Sequence, residues 1–487
     1  MNNKLRIFIT GLLALGLFSC KKTLDVEPTN QVDASTSIKT PADAQIMING
    51  IMRSMSNADY YGRNFILYGD AKGGDMTIPS QGRGNDALYT FNHSPTSGSY
   101  SGYWSQIYFS LLQVNNLLQN IGQLEAGGAT GYASYKGQAL TLRAIMYFDL
   151  VRLYGKPYDL DKNAYGVPNI ITPLNSSEQP LRNKVDENYT QILSDLTSAA
   201  LLLAKTKSNG FVNYYGNLAI QARVYLYMKD YVNALKAAEE VITSNVYTLY
   251  SNTAWVDSWK AQFGSESILE IGVYPLEGDL GAGSIGAYLR KKGHGGSTIL
   301  GWYMASDYFL TRLKQDATDV RWGVMGEDEI STTAVPRKGA LYKYSGNTAL
   351  AGDGKTTATA VNLKLIRLSE IYLIAAEAAL STDATKAANY LNAIRKRAPG
   401  LAAATAATVT VDMILDERSK ELFGEGQRFF DMIRLNKSIT FNDEIIAISV
   451  PTRPKTIDRS FYKTLLPISQ AEINANPGML AQQNPNY

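Results

Sequence analysis

Two segments of the sequence repeat one spacing of small and apolar residues, and this repeat restricts the folds open to the chain. The spaced positions are Ala222, Tyr225, Tyr231, Ala234, Ala238 and Val241 in the first segment, and Ala375, Ala378, Ala384, Ala387, Leu391 and Ile394 in the second. Small residues at such positions let two antiparallel helices approach closely, and each helix pair buries its apolar face by stacking on another pair. The repeat therefore predicts stacked helix pairs.

A third segment, Gly137 to Tyr154, has apolar residues at helical spacing, which predicts a helix with one apolar face. Gly155 follows as a predicted C-cap, and Pro157 prevents continuation of the helix. Residues 265–271 alternate in the manner of a short strand. Because the repeated segments have the spacing of tetratricopeptide units, the predicted fold class is mainly α, with tetratricopeptide-like helical repeats, long irregular loops and a few short strands.

The first nineteen residues have the composition of a signal peptide. Lys4 and Arg6 precede an apolar stretch over residues 7–18, which is too short to span a bilayer but fits the apolar part of a secretion signal. We therefore expect residues 1–19 to be removed from the mature protein.

Cys20 is the only cysteine in the chain. Residues 17–20 read Leu-Phe-Ser-Cys, which resembles the bacterial lipobox, so we expect Cys20 to be the site of lipid attachment. Residues 20–40 are polar and are predicted to form a lipidated tether. Two or more acyl chains, at about 0.8 kcal/mol per buried CH₂, anchor a protein stably to a membrane. With no other cysteine present, neither a disulfide nor thiol catalysis is available.

The side chains that hydrolases and metal sites require are scarce. His93 and His294 are the only histidines and lie far apart in the sequence, which disfavours a Ser–His–Asp triad and a histidine metal site. Residues 349–356 resemble the end of a phosphate-binding loop, but Ala349 stands where its first glycine is required. Residues 159–170 lack the turn glycine and the closing glutamate of a calcium loop. We expect no cofactor and no metal. The net charge of +3 is too small to indicate nucleic-acid binding.

Three carboxylates could in principle act as a catalytic pair. Glu417, Glu421 and Glu425 have the spacing of one helix face, and glycosidases need only two carboxyl groups. The arginines near enough to neutralise them are Arg418, Arg428 and Arg434. We interpret the segment as an ion-paired structural helix, and we expect the protein not to be an enzyme.

These residues also belong to a longer pattern, which resembles the C-terminal signature of the SusD/RagB family. The matching positions are Asp416, Glu417, Arg418, Glu421, Leu422, Glu425, Gly426, Arg428, Asp431 and Arg434. Residues 142–155, 366–378 and 465–487 resemble, in family order, the central helix, the last repeat and the chain end of the same proteins.

The resemblance implies a lipid-anchored binding protein on the outer face of the outer membrane. Family members cap a TonB-dependent transporter of the SusC type and deliver captured oligosaccharides to it. The resemblance further implies an N-terminal helical-repeat lobe over residues 41–260 and a C-terminal lobe with the loop-rich ligand region over residues 261–487. Two alternatives stay open, a peptide-binding member of the RagB type and an outer-membrane glycosidase.

Two glycine-containing stretches between helical segments have the composition of a sugar-binding loop. Pyranose rings stack on flat aromatic side chains, while their hydroxyls need polar partners. The candidate ligand-binding residues are Asp75, Arg83, Tyr89, His93, Trp302 and Tyr303. Trp104, Trp255 and Trp259 lie instead in helical patterns, so we predict that they belong to the core.

Overall fold

The computed structural model describes residues 38–82, 86–175, 177–294, 296–345, 359–447 and 449–487. The predicted signal peptide, Cys20 and the tether up to residue 37 lie outside the described residues. Arg83 and the incomplete phosphate-loop pattern around Ala349 lie outside them as well.

Helices dominate the regular structure. The α-helices are α1 Pro41–Met55, α2 Asn64–Ala71, α3 Ala87–Thr90, α4 Gly98–Ala126, α5 Ala133–Tyr154, α6 Tyr158–Asp161, α7 Val185–Ala200, α8 Tyr214–Met228, α9 Tyr231–Thr243, α10 Asn252–Trp255, α11 Ile285–Leu289, α12 Asp307–Leu313, α13 Leu368–Ala379, α14 Ala384–Arg395, α15 Val411–Glu421, α16 Arg428–Arg434 and α17 Gln470–Ala475. Short 3₁₀ helices span Asp257–Lys260, Gly281–Gly283, Val320–Val324, Asp443–Ile446, Tyr462–Thr464 and Pro477–Gln482.

The strands are short and pair two by two. They are β1 Met76–Thr77, β2 Ser267–Ile271, β3 Met304–Ala305, β4 Met325–Gly326, β5 Ala340–Leu341, β6 Leu363–Arg367, β7 Ile439–Thr440 and β8 Thr456–Ile457. The antiparallel pairs are β1 with β3, β2 with β6, β4 with β5, and β7 with β8. The predicted fold class, mainly helical with few short strands, is confirmed.

Both repeated segments form packed helix pairs, α8 with α9 and α13 with α14, and α9 packs in turn against α13. Ala222, Ala234, Ala375 and Ala387 are fully buried where these helices meet, as the spacing predicts. The turn between α8 and α9 is tight because Lys229 takes a left-handed conformation with φ of 59°. Helices α1, α4, α5 and α7 extend the same stack on its N-terminal side.

The helix predicted from Gly137 begins earlier, at Ala133, and ends at Tyr154 as expected. Its residues from Gly137 onwards are buried on every side, so the prediction of a single apolar face is wrong. The charged positions are tolerated because each has a partner. Arg143 donates to both oxygens of Asp195 at 2.8 and 2.7 Å. On the same helix, Arg152 forms an ion pair with Asp149.

The strand predicted at residues 265–271 is present as β2 and pairs with β6, with both strands fully buried. The larger of the two hydrophobic cores within the described residues runs from Ile38 to Met479 and crosses residue 260, so elements on both sides of the predicted lobe boundary share apolar contacts. Trp104, Trp255 and Trp259 belong to this core, as predicted. The division into two lobes stays a prediction.

Ten buried ionisable side chains, five of each sign, form a connected group beside β6 and α15. The members of this Glu421 cluster are Arg321, Lys343, Arg367, Arg397 and Lys420 with Glu266, Asp319, Glu417, Glu421 and Glu425, each at most 6% exposed in its side chain. Charges removed from water need such close partners, because an isolated buried charge is costly.

The cluster confirms an ion-paired role for the three glutamates and corrects two details of the prediction. Helix α15 ends at Glu421, so Glu425 is not on the same helix face. Gly424 and Gly426, with φ of 83° and 78°, turn the chain away instead. The partners also differ from those expected. The predicted arginines pair elsewhere, Arg418 with Asp431, Arg428 with Asp75, and Arg434 with Glu377.

Candidate functional site

Most of the predicted ligand residues that the structure describes lie in the interior. Asp75, Tyr89, His93 and Tyr303 are each at most 3% exposed. The Asp75 carboxylate accepts two hydrogen bonds from Arg312, at 2.8 and 2.5 Å, and the Tyr89 hydroxyl donates to Asp443 at 2.8 Å. This burial argues against direct ligand contact for these four residues, whose role at a ligand site stays a prediction. Their polar groups hold the loops to the scaffold.

His93 illustrates this structural role. The Tyr487 hydroxyl donates to the Leu465 carbonyl at 2.8 Å, so the imidazole Nδ1–H donates to the tyrosine oxygen at 2.9 Å. The imidazole Nε2 then accepts from Lys72 Nζ at 3.3 Å. Burial, reinforced by the charge of Lys72, lowers the pKa of His93 well below its ordinary value, so the ring is neutral. The network fastens the last residue of the chain against the loop.

Trp302 is partly exposed and lies in a group that we call the Arg63 cluster, in which Tyr288 alone is buried, at 6% exposure. Its members are Asp59, Arg63, Asn64, Tyr288 and Trp302. Arg63 Nε donates to the Asn64 amide oxygen at 2.8 Å, and the Asn64 amide donates to Asp59 at 2.8 Å. The Arg63 guanidinium also lies 4.6 Å from the centre of the Tyr288 ring and donates to its hydroxyl at 3.1 Å.

The two aromatic rings of the Arg63 cluster are placed by backbone contacts. Tyr288 lies on α11, where Gly286 lets the helix approach another chain segment closely. A Cβ at Gly286 would lie 1.9 Å from the Tyr344 carbonyl oxygen, so no other residue fits there. The Tyr303 N–H donates to the Tyr288 carbonyl at 3.1 Å. With Tyr303 buried, Trp302 is left partly exposed, and its ring centre lies 6.4 Å from that of Tyr288 at an angle of 36°.

Family models and solved structures that resemble this chain all indicate the same protein family. A SusD family model matches residues 301–487, and a family model described as "Starch-binding associating with outer membrane" matches residues 22–226. A solved SusD superfamily protein from Bacteroides thetaiotaomicron is 33% identical, with a TM-score of 0.82 over 92% of this chain and 100% of that one. The chain belongs to the SusD/RagB family.

Two further relatives of this SusD/RagB protein extend the comparison. A solved structure from Bacteroides vulgatus, named a putative sugar binding protein, is 32% identical with a TM-score of 0.82, covering 93% of this chain and 100% of its own. A SusD-like protein from Formosa agariphila is 25% identical over 88% of this chain and 90% of its own. The chain therefore spans nearly the whole length of its relatives.

The Arg63 cluster of this SusD/RagB protein combines the groups that sugar recognition requires. The partly exposed Trp302 ring offers a flat apolar face, the buried Tyr288 ring supports the Arg63 guanidinium, and an amide and a carboxylate add hydrogen-bonding edges. The polar groups are already hydrogen-bonded to one another, so little ordering remains to be done when a ligand arrives. Within the described residues, no group of three or more His, Cys, Asp or Glu side chains is arranged so that it could hold a metal ion, and no helix is long and apolar enough to cross a membrane.

Sequence reasoning missed Asp59, Arg63 and Asn64 because they lie at the start of helix α2 and in the turn before it, rather than in a long glycine-rich loop. A local signal was available, since residues 59–64 read Asp-Tyr-Tyr-Gly-Arg-Asn and combine polar, aromatic and glycine positions in one turn. The sequence does not predict the contact between Arg63 and Tyr288, which are 225 positions apart along the chain.

Proposed function

We propose that this protein captures oligosaccharides at the Arg63 cluster and delivers them to a SusC-type, TonB-dependent transporter. The family is described as starch-binding and as associating with the outer membrane, and a relative at 32% identity is named a putative sugar binding protein. The observation that carries the proposal is the partly exposed Trp302 ring, which packs near the buried Tyr288 ring that the Arg63 guanidinium covers.

Delivery and placement follow from the proposed family role. A lipid at Cys20 would hold the protein on the outer face of the outer membrane, and a shared complex with the transporter would supply a high effective concentration of captured ligand. Binding without catalysis suits this role, because a captured oligosaccharide has to be passed on intact to the barrel.

The proposal is tested by binding of purified protein to a glycan array, followed by titration calorimetry with the best-bound glycan. Losing a stacked ring costs about 0.5–1.5 kcal/mol beyond its buried area, so Trp302→Ala should weaken binding several-fold or more. Arg63→Gln should weaken it further, because the charged donor is removed. Trp322→Ala is the matched control, since Trp322 is also half-buried but lies in another part of the structure.

Circular dichroism establishes that each variant is folded. Unchanged affinity in a folded Trp302→Ala, Arg63→Gln double variant would remove the Arg63 cluster from the ligand site. Failure of the wild-type protein to bind any glycan on the array would refute the proposed ligand class. A peptide library screened in parallel would then show whether the alternative ligand is a peptide.

A further inference from the structure

A groove lies between α1 and the chain segment that follows β2. Its volume is about 470 Å³, which is within the size range of small-ligand sites. Three aromatic side chains, Phe211, Phe263 and Tyr274, line it, and Tyr274 is 49% exposed. Asn49 and Asn209 supply exposed amides at the same groove. The groove thus has aromatic faces and polar edges, as the Arg63 cluster has.

Phe263 reaches this groove through an unfavourable backbone conformation. Its φ is 49°, in the left-handed region that a bulky side chain rarely adopts. The conformation is held from two sides, because the Phe263 N–H donates to Glu270 at 3.1 Å and its carbonyl accepts from Lys207 Nζ at 2.8 Å. Lys207 donates equally to the Gly264 carbonyl. A strained position that several contacts enforce is more often found at functional sites than in ordinary loops.

Glycines keep the groove open between the rings. A Cβ at Gly272 would lie 3.3 Å from Tyr274 Cε2 and 3.5 Å from Phe263 Cζ, so the two rings flank this position. Gly210 has a φ of 80°, and a Cβ there would lie 3.2 Å from the Phe263 ring. Any side chain at either glycine would press on a ring, so the groove depends on both.

One loop connects this groove to the Arg63 cluster. Arg53 Nε donates to the Glu277 carbonyl at 2.6 Å beside the groove, and Arg63 donates to the Gly283 carbonyl at 3.3 Å beside the cluster. The six residue-to-residue steps from Glu277 to Gly283 span at most about 22 Å even when fully extended. The two places are therefore close enough to be occupied by one extended ligand.

We infer that the groove at Phe211, Phe263 and Tyr274 is a second subsite, which binds the far end of the oligosaccharide held at the Arg63 cluster. This inference rests on the proposed function, since the ligand class is the same. The aromatic rings would stack on sugar faces, and the amides of Asn49 and Asn209 would bond sugar hydroxyls. Leu276, two positions after Tyr274, is 99% exposed and would suit contact with a protein rather than a sugar. The test therefore includes an outcome for a protein-docking surface.

The test compares Tyr274→Ala with wild type on short and long members of each glycan series on the array, with affinities from calorimetry. Loss of one stacking ring should weaken binding of long oligosaccharides about two- to tenfold. Short members that fill only the Arg63 cluster should bind as before. Tyr308→Ala is the matched control, because Tyr308 is 37% exposed on α12 and does not line the groove. Asn209→Ala is a second variant that perturbs the groove without removing a ring.

The outcomes distinguish this inference from the proposed function. If the wild-type protein binds no glycan, the proposed function fails, and the subsite fails with it. If Trp302→Ala weakens binding but Tyr274→Ala and Asn209→Ala match the Tyr308→Ala control at every length, only the subsite is refuted. If Tyr274→Ala keeps full glycan affinity but loses the transporter in affinity purification, the groove is a protein-docking surface, which also overturns the inference.

Discussion

Glu421 is the residue whose replacement most directly tests how the helical scaffold is held together. Its side chain is fully buried, with Arg367 at 3.1 Å, Arg321 at 3.7 Å and Arg397 at 4.0 Å. Burial alone would raise the pKa of Glu421, but the attraction of these arginines outweighs it and lowers the pKa below its ordinary range. The carboxylate is therefore ionised in the folded protein at neutral pH.

The change Glu421→Gln removes this charge while keeping the shape of the side chain. An amide oxygen still accepts the hydrogen bond that Trp255 Nε1 donates at 3.2 Å, so the loss is chiefly electrostatic. The Glu421 cluster would then hold five cations against four anions. Removing one partner of a buried ion pair costs about 3–5 kcal/mol, and we expect a loss of that size in the free energy of unfolding.

Urea unfolding followed by tryptophan fluorescence measures this loss. The control is Glu327→Gln, which breaks the exposed pair with Lys291 at 3.0 Å and should change stability by about 0.5 kcal/mol or less. Because the pKa of Glu421 is lowered on folding, its contribution is present above the unfolded pKa and is lost as pH falls through the folded pKa. The gap between wild type and Glu421→Gln should therefore narrow in acid. A Glu421→Gln protein as stable as the Glu327→Gln control at neutral pH would refute the reasoning.

Three further predictions concern a buried carboxyl, the anchor and the partner. Burial raises the pKa of Asp70 to about 7, so its favourable contribution is lost as pH rises through 7. Asp70→Asn keeps an acceptor for the Gly426 N–H and should stabilise the protein by about 1–3 kcal/mol at mildly alkaline pH but not in acid, as thermal melts would show. Cys20→Ala should abolish labelling by a clickable fatty acid, and persistent labelling would contradict the anchor. Gentle detergent extraction and affinity purification should recover a TonB-dependent barrel, and elution of the protein alone even after crosslinking would contradict docking.

The helical scaffold could be predicted because its signal is local and periodic. Ala222 and Ala375 lie where small residues are required by neighbours a few turns away, so their spacing already specifies the helix pairs. The residues at which helices end are harder to predict from the sequence. Glu425 continues the carboxylate spacing of α15, yet the helix ends at Glu421 and Gly424 turns the chain. Periodicity alone does not predict that turn.

The ligand loops were harder to predict, because a loop in sequence is not necessarily exposed in space. Asp75 was chosen for its polar, glycine-rich surroundings, but Arg312 satisfies its carboxylate from 237 positions away. His93 is covered by Tyr487 at the very end of the chain. Such long-range partners are set by the packing of the whole fold, so composition can suggest a region of the chain but does not show which side chains face the solvent.

The Arg63 cluster is attached to the helical stack by a short path of buried hydrogen bonds. The hydroxyls of Tyr60 and Tyr61 both donate to Asp149 on α5, at 2.5 and 2.7 Å, and Arg152 pairs with the other oxygen of that carboxylate. Burial, together with the charge of Asp149, raises the pKa of both tyrosines well above its ordinary value, so each keeps its proton. Since Arg63 follows Tyr61 by two positions, the scaffold fixes its position before any ligand binds. A guanidinium that is already held in place loses little entropy on binding, so the proposed ligand site would gain affinity from being fixed to the helical scaffold.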